Sequence, residues 1–139
     1  MTVAEAGGIV ARIERGTVRY LLVTAKRNPE HWLFPKGRIE PRETAADAAL
    51  REAREEAGVD GTVLAPLGWL EFRYGRDDIQ VQIFLIDYRG DIPAREHRQR
   101  RWCTYEEAIE LLSFDNARQL LRKSQPAIRE HLDRTRSQG

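Results

Sequence analysis

The chain reads as an α/β domain, with a mixed central sheet layered between helices, and three observations predict it. Strand-like segments lie on both sides of an alanine-rich helical segment spanning positions 45–57. A second helical pattern begins after Thr104, so strands and helices interleave along the chain. The 139 residues, 41% hydrophobic and 32% charged, suit a single globular domain over 1–139 with its core over about residues 3–125.

The elements follow in order. Ala4 to Ile13 alternates as a strand, turns at Arg15-Gly16, and pairs as a hairpin with Val18 to Thr24. Lys26 to His31 is a polar loop, and Trp32 to Pro35 is short and extended because Pro35 disfavours helix at Phe34. Thr44 followed by Asp47 caps a helix that Gly58 stops, with Ala46, Ala49, Leu50, Ala53 and Ala57 forming a thin apolar stripe for close packing. Thr62 to Tyr74 and Asp78 to Tyr88 read as strands joined at Gly75-Arg76, and Arg98 to Tyr105 as another. Thr104 with Glu107 caps a short helix through Leu112. Asp115 opens a last helix that stops before Pro126, and the tail Arg134 to Gly139, with little to bury, frays. Trp69 and Trp102 are expected in the core.

A net charge of +1 gives no pull toward nucleic acid or a membrane surface. No segment has the apolar length of a transmembrane helix, and MTVAEAGGIVARIER lacks the apolar core of a secretory signal. The lone Cys103 has neither a disulfide partner nor metal-ligand spacing. A cytoplasmic protein is the expectation.

The segment Gly37 to Val59 carries the chemistry. Glu52, Glu55 and Glu56 stand at i, i+3 and i+4, where like charges share a helix face and repel. They also crowd the end of the helix that favours cations. A helix with no task beyond facing water has no reason to place three glutamates there, whereas a divalent cation such as Mg²⁺ or Mn²⁺ resolves the conflict, being a hard ion that takes carboxylate oxygens. The stretch fits G-x5-E-x7-R-E-U-x-E-E-x-G-U, with U aliphatic, through Gly37, Glu43, Arg51, Glu52, Glu55, Glu56 and Gly58. At average residue usage, a chance match of these fixed positions is well below roughly one in a million.

This pattern is the Nudix box, and the chain resembles the Nudix hydrolases, which cleave a diphosphate linked to another moiety. The resemblance implies an α/β/α sandwich with a mixed central sheet. It implies metal binding by Glu52, Glu55, Glu56 and the Gly37 carbonyl, with Mg²⁺ or Mn²⁺ as cofactor. Arg51 would orient the catalytic carboxylate through an ion pair, and Glu43 would support the loop or the metal indirectly. The base would be one of the box glutamates or a glutamate outside the box, for which Glu96 is a candidate.

HWLFPKGRIE resembles the W-x-x-P-K-G-x-x-E run of diadenosine-polyphosphate hydrolases. WCTYEEAIELL resembles a W-[FL]-x-x-E-[ED]-A-x-x-x-L run found there and in diphosphoinositol-polyphosphate phosphohydrolases. Both imply a long anionic phosphate chain as substrate, met by cationic side chains: Lys36 first, then Arg38, Arg12, Lys26 and Arg27. The stretch 89–101 holds five arginines and two acids and is expected to be a mobile loop over phosphate. His31 and His97 are candidate phosphate contacts, and Trp32, Phe72 and Tyr74 candidate stacking partners for adenine. The expected partner is a phosphorylated small molecule. Nucleoside triphosphates, nucleotide sugars and a non-catalytic nucleotide-binding role are the alternatives, and a chain that starts almost at its first strand argues against the nucleotide sugars.

Overall fold

The apolar N-terminal segment forms the strand on which the sheet is built. In the computed structural model, which describes residues 1–138, β1 (Thr2–Glu14) turns through Arg15 and Gly16, both at positive φ, into the antiparallel β2 (Thr17–Thr24). On its other side β1 runs parallel to a late strand, from Thr2 opposite Asp78 to Ala11 opposite Asp87. With β3 (Trp32–Leu33), β4 (Lys36–Arg38), β5 (Val59–Tyr74), β6 (Asp77–Asp91) and β7 (Arg100–Cys103), the sheet order is β3-β2-β1-β6-β5, β4 pairing with β1 and β7 with β2. The sheet is therefore mixed, as the sequence predicts.

Alternation along the strands divides the core into two layers. Ile9, Leu22, Ile83 and Leu85 face Leu112, Leu121 and Ile128 from α2 (Tyr105–Leu111), its end, and α3 (Asp115–Gln138). Val10, Leu21, Phe84 and Ile86 face Ala48, Ala49 and Ala53 of the box segment, all three fully buried. Alanine there lets the helix backbone lie close to the sheet, which fixes the height of its glutamates above β1. Among the described residues no helix is long and apolar enough to cross a membrane.

The helix start is as read: Thr44 Oγ1 accepts from the Asp47 N–H at 3.0 Å, and Asp47 accepts from the Thr44 N–H at 3.4 Å. Its continuation differs. α1 (Ala45–Glu52) gives way to a π turn over Ala53–Ala57, ended by Gly58 at φ 65°, and β5 begins at once at Val59 rather than at Thr62. β4, not expected from sequence, forms because Lys36 to Arg38 find backbone partners on β1.

Three further expectations are corrected. The last helix does not stop before Pro126 but runs on to Gln138, because Ile128 and Leu132 beyond the proline are buried against the core and their packing outweighs one lost backbone hydrogen bond. The tail expected to fray is helical from Arg134 to Gln138, and Gly139 lies outside the described residues. Trp69 is 59% exposed rather than core, because β5 is the sheet edge.

Tyr20 on β2 is almost fully enclosed, and burial pushes its hydroxyl pKa up to about 12, with Tyr105 adding to the shift. Below pH 10 the phenol is neutral in both folded and unfolded chains; above it the unfolded chain loses the proton first, so stability falls as pH rises toward 12. The full effect is about 3 kcal/mol. Urea midpoints of wild type and Tyr20→Phe from pH 9 to 11.5 should show a smaller alkaline loss in the variant. Parallel curves would refute the assignment.

Candidate active site

The end of α1, the π turn, β4 and the β6–β7 loop meet at one cavity of about 560 Å³. Its wall includes Glu52, Glu55 and Glu56 from the box, Glu96 from the loop, and Phe72 and Phe114 from the opposite side.

Arg51 is the hub of the acidic side. Its Nε and Nη2 hold both oxygens of Glu43 at 2.7 and 2.9 Å, a bidentate fork that draws the Glu43 carboxyl below its ordinary pKa. Its Nη1 reaches Glu52 at 2.9 Å and Glu55 at 3.4 Å, and its Nη2 also donates to the Arg38 carbonyl at 2.9 Å. Glu43 therefore touches the site only through Arg51 and does not itself line the cavity.

Glu52, Glu55 and Glu96 converge, each offering a carboxylate oxygen within 4.8 Å of the others. Burial pushes the Glu52 carboxyl above its usual range, against the pull of Arg51. The group is a hard-oxygen donor set of like charges that its arginines neutralise only in part, which fits a divalent cation such as Mg²⁺ or Mn²⁺. Glu56, expected among the ligands, stands just outside this group. Its carboxylate, 2% exposed, accepts from the Lys36 backbone N–H at 2.7 Å and pairs with Arg98 at 2.7 Å. Burial pushes its pKa up to about 8, with Arg98 opposing the shift.

Gly37 lines the cavity where the sequence puts it, and for a steric reason: a methyl group there would run into the Glu52 carboxylate. Lys26, Arg27, Lys36 and Arg38 also line it. The Lys36 ammonium is paired at 2.8 Å with the buried Glu5. Arg27 stacks at 4.4 Å on Tyr74 across the mouth. Arg12 is not brought in. It lies over Trp102 at 4.1 Å on the sheet face that carries α1, because β1 runs past the cavity before reaching it. Neither His31, His97 nor Trp32 lines the cavity, whereas Phe72 and Tyr74 do.

The arginine-rich stretch is tied to the box segment at its middle. Its ends belong to β6 and β7, and the N–H groups of Arg95 and Glu96 both donate to the Glu55 carbonyl, at 3.1 and 3.0 Å. Sequence reasoning missed Glu5, Phe114 and Arg98. An acid within the apolar run of β1 was the available signal for Glu5, and the arginine-rich stretch 89–101 the one for Arg98; nothing local marked Phe114.

Comparison with known proteins gives a consistent result. A family model described as NUDIX domain matches residues 3–123. The asymmetrical bis(5'-nucleosyl)-tetraphosphatase of Caenorhabditis elegans is 29% identical, over 88% of this chain and 94% of that protein. That of Mus musculus is 30% identical, over 83% and 84%. The crystal structure of the C. elegans Ap4A hydrolase superposes with a TM-score of 0.75 at 26% identity, covering 92% of this chain and 99% of that one.

Removing Arg51 leaves Glu43, Glu52 and Glu55 crowded without their shared cation. Arg51→Met should lower stability by about 3 kcal/mol in urea unfolding. An unchanged midpoint would mean that the network does not hold the helix end in place.

Proposed function

The chain belongs to the Nudix family, and from that premise we propose that it hydrolyses dinucleoside polyphosphates of the diadenosine tetraphosphate type, acting as one domain. The observation that carries this reading is its likeness, over most of both chains, to asymmetrical bis(5'-nucleosyl)-tetraphosphatases. The cavity lining supports it. A ligand made of phosphates alone calls for many free cations, yet among the described residues only Lys26, Arg27 and Arg38 in the lining lack a carboxylate partner. Phe72, Tyr74 and Phe114 instead offer apolar faces suited to a nucleobase.

Glu52, Glu55 and Glu96 would hold a divalent cation, Mg²⁺ or Mn²⁺, with the Gly37 carbonyl and Glu56 beside them. Each Glu56 oxygen keeps a lone pair beyond its present bond. When bound, such an ion lowers the pKa of water and offsets charge on the phosphates. The residues of the chain supply the rest. Arg51 fixes Glu52 and Glu55, Arg27 and Lys26 face the phosphate chain, and a carboxylate of the group accepts the proton of the attacking water. The new bond joins that water's oxygen to phosphorus as the bridging P–O bond breaks, and the leaving phosphate departs with the bridging oxygen.

Glu55→Gln should cut turnover by at least roughly 100-fold while leaving the melting temperature unchanged or higher, since like-charge repulsion is relieved. Near-wild-type turnover would refute its role. In a product-resolved screen with Mg²⁺, diadenosine tetraphosphate should split into ATP and AMP faster than any nucleoside triphosphate or nucleotide sugar reacts. Pyrophosphate release from triphosphates alone would sink the substrate assignment.

A further inference from the structure

Arg100 and Arg101 of the stretch 89–101 pair with exposed carboxylates, Asp91 and Glu107, and Arg95, itself exposed, reaches Glu55, but Arg98 is enclosed. Its side chain is only 13% exposed, and all three guanidinium nitrogens are engaged. Nη1 pairs with Glu56 at 2.7 Å and donates to the Thr24 carbonyl at 3.3 Å; Nε and Nη2 hold one oxygen of Glu96 at 3.2 and 2.9 Å. Three segments distant in sequence, the end of β2, the π turn and the β6–β7 loop, thus close on one planar group. The loop is pinned beside it by the Gln99 N–H donating to Thr24 Oγ1 at 3.2 Å.

We propose that Arg98 is a positioning residue that ties Glu96 to Glu56 and so holds the Glu96 carboxylate in the group with Glu52 and Glu55. This rests on the reading of that group as a divalent-cation site. Glu96 is the one member of the group not carried on α1 or the π turn. Its backbone is fixed by the Glu55 carbonyl, but its side chain, 30% exposed, is held by Arg98 alone among the described residues. A lysine keeps the charge but lacks the fork: one ammonium cannot reproduce the planar arrangement that spans Glu56, Glu96 and the Thr24 carbonyl.

Two physical effects oppose each other when Arg98 is removed. A cation beside a cation site repels the incoming ion, so its loss by itself tightens metal binding. Its loss also frees Glu96 to swing toward solvent, which removes a ligand. The charge of Arg98 is already matched by two carboxylates within 3 Å, so the repulsion is small and loss of the ligand prevails.

Binding of Mn²⁺, followed by the electron paramagnetic resonance of the free ion, separates the outcomes in wild type, R98K, R98Q, E96Q and R98Q/E96Q. R98Q is expected to weaken Mn²⁺ binding by about 10-fold or more, with R98K intermediate. The double variant should bind no more weakly than E96Q alone, because both changes remove the same ligand. Turnover should show a fall in kcat larger than the change in KM. Equal or tighter Mn²⁺ binding in R98Q, or losses that multiply in the double variant, would overturn the proposal. If R98Q does not fold by circular dichroism, R98K decides, and wild-type affinity in folded R98K overturns it. A wild-type protein that binds no Mn²⁺ overturns both this inference and the metal-site reading beneath it.

Discussion

Four carboxylates of the box region stand within reach of one guanidinium, and much of the site depends on that arrangement. Arg51 bonds Glu43, Glu52 and Glu55 and lies 3.6 Å from Glu40. Without it, like charges at helical spacing beside a helix C-terminus would push the box glutamates apart. With it, they are close but not fully neutralised, and burial still raises Glu52 and Glu56 above the usual carboxylate range. The charge left over is what makes the group a receptor for a cation rather than a closed ion-pair network.

The π turn is the second device. At the end of a regular helix, the last carbonyls face solvent or a cap. Here the Glu55 carbonyl instead receives two N–H groups from the β6–β7 loop, so the turn that carries two box glutamates also anchors the segment that brings Glu96 and Arg98. π turns recur at functional sites for this kind of reason, since one extra residue redirects both side chains and a carbonyl. The alanines beneath serve the same end by seating the helix close to β1, whose Glu5 in turn holds Lys36.

How much of this was legible in the sequence differs by residue. The capping pair Thr44 and Asp47, the alanine stripe and the glutamate spacing are local patterns, and each element they imply is present. The first hairpin and the β5–β6 pair were readable from alternation and turn residues. The short β4 was not, because three residues make a strand only when a partner strand is already beside them. Pro126 misled for a related reason: its local preference ends a helix, but burial of Ile128 and Leu132 on the far side carries the helix through. Arg12 was singled out by its charge and Lys36 by the P-K-G resemblance, and neither signal reveals that Arg12 stacks on Trp102 while Lys36 already has Glu5 as partner.

The sequence by itself determined the α/β class, the family and the box glutamates with their arginine, because these rest on spacings within about twenty residues that the helix geometry converts directly into proximity. The tertiary structure alone decided which outside residues complete the site. Glu5 comes from β1, Arg98 from the β6–β7 loop beside the sequence candidate Glu96, and Phe114 from just before α3, and no sequence period relates them to Glu52. They meet because the parallel pairing of β1 with β6 and the docking of a loop on one freed carbonyl bring distant segments to the same edge, a long-range constraint that local propensity does not encode.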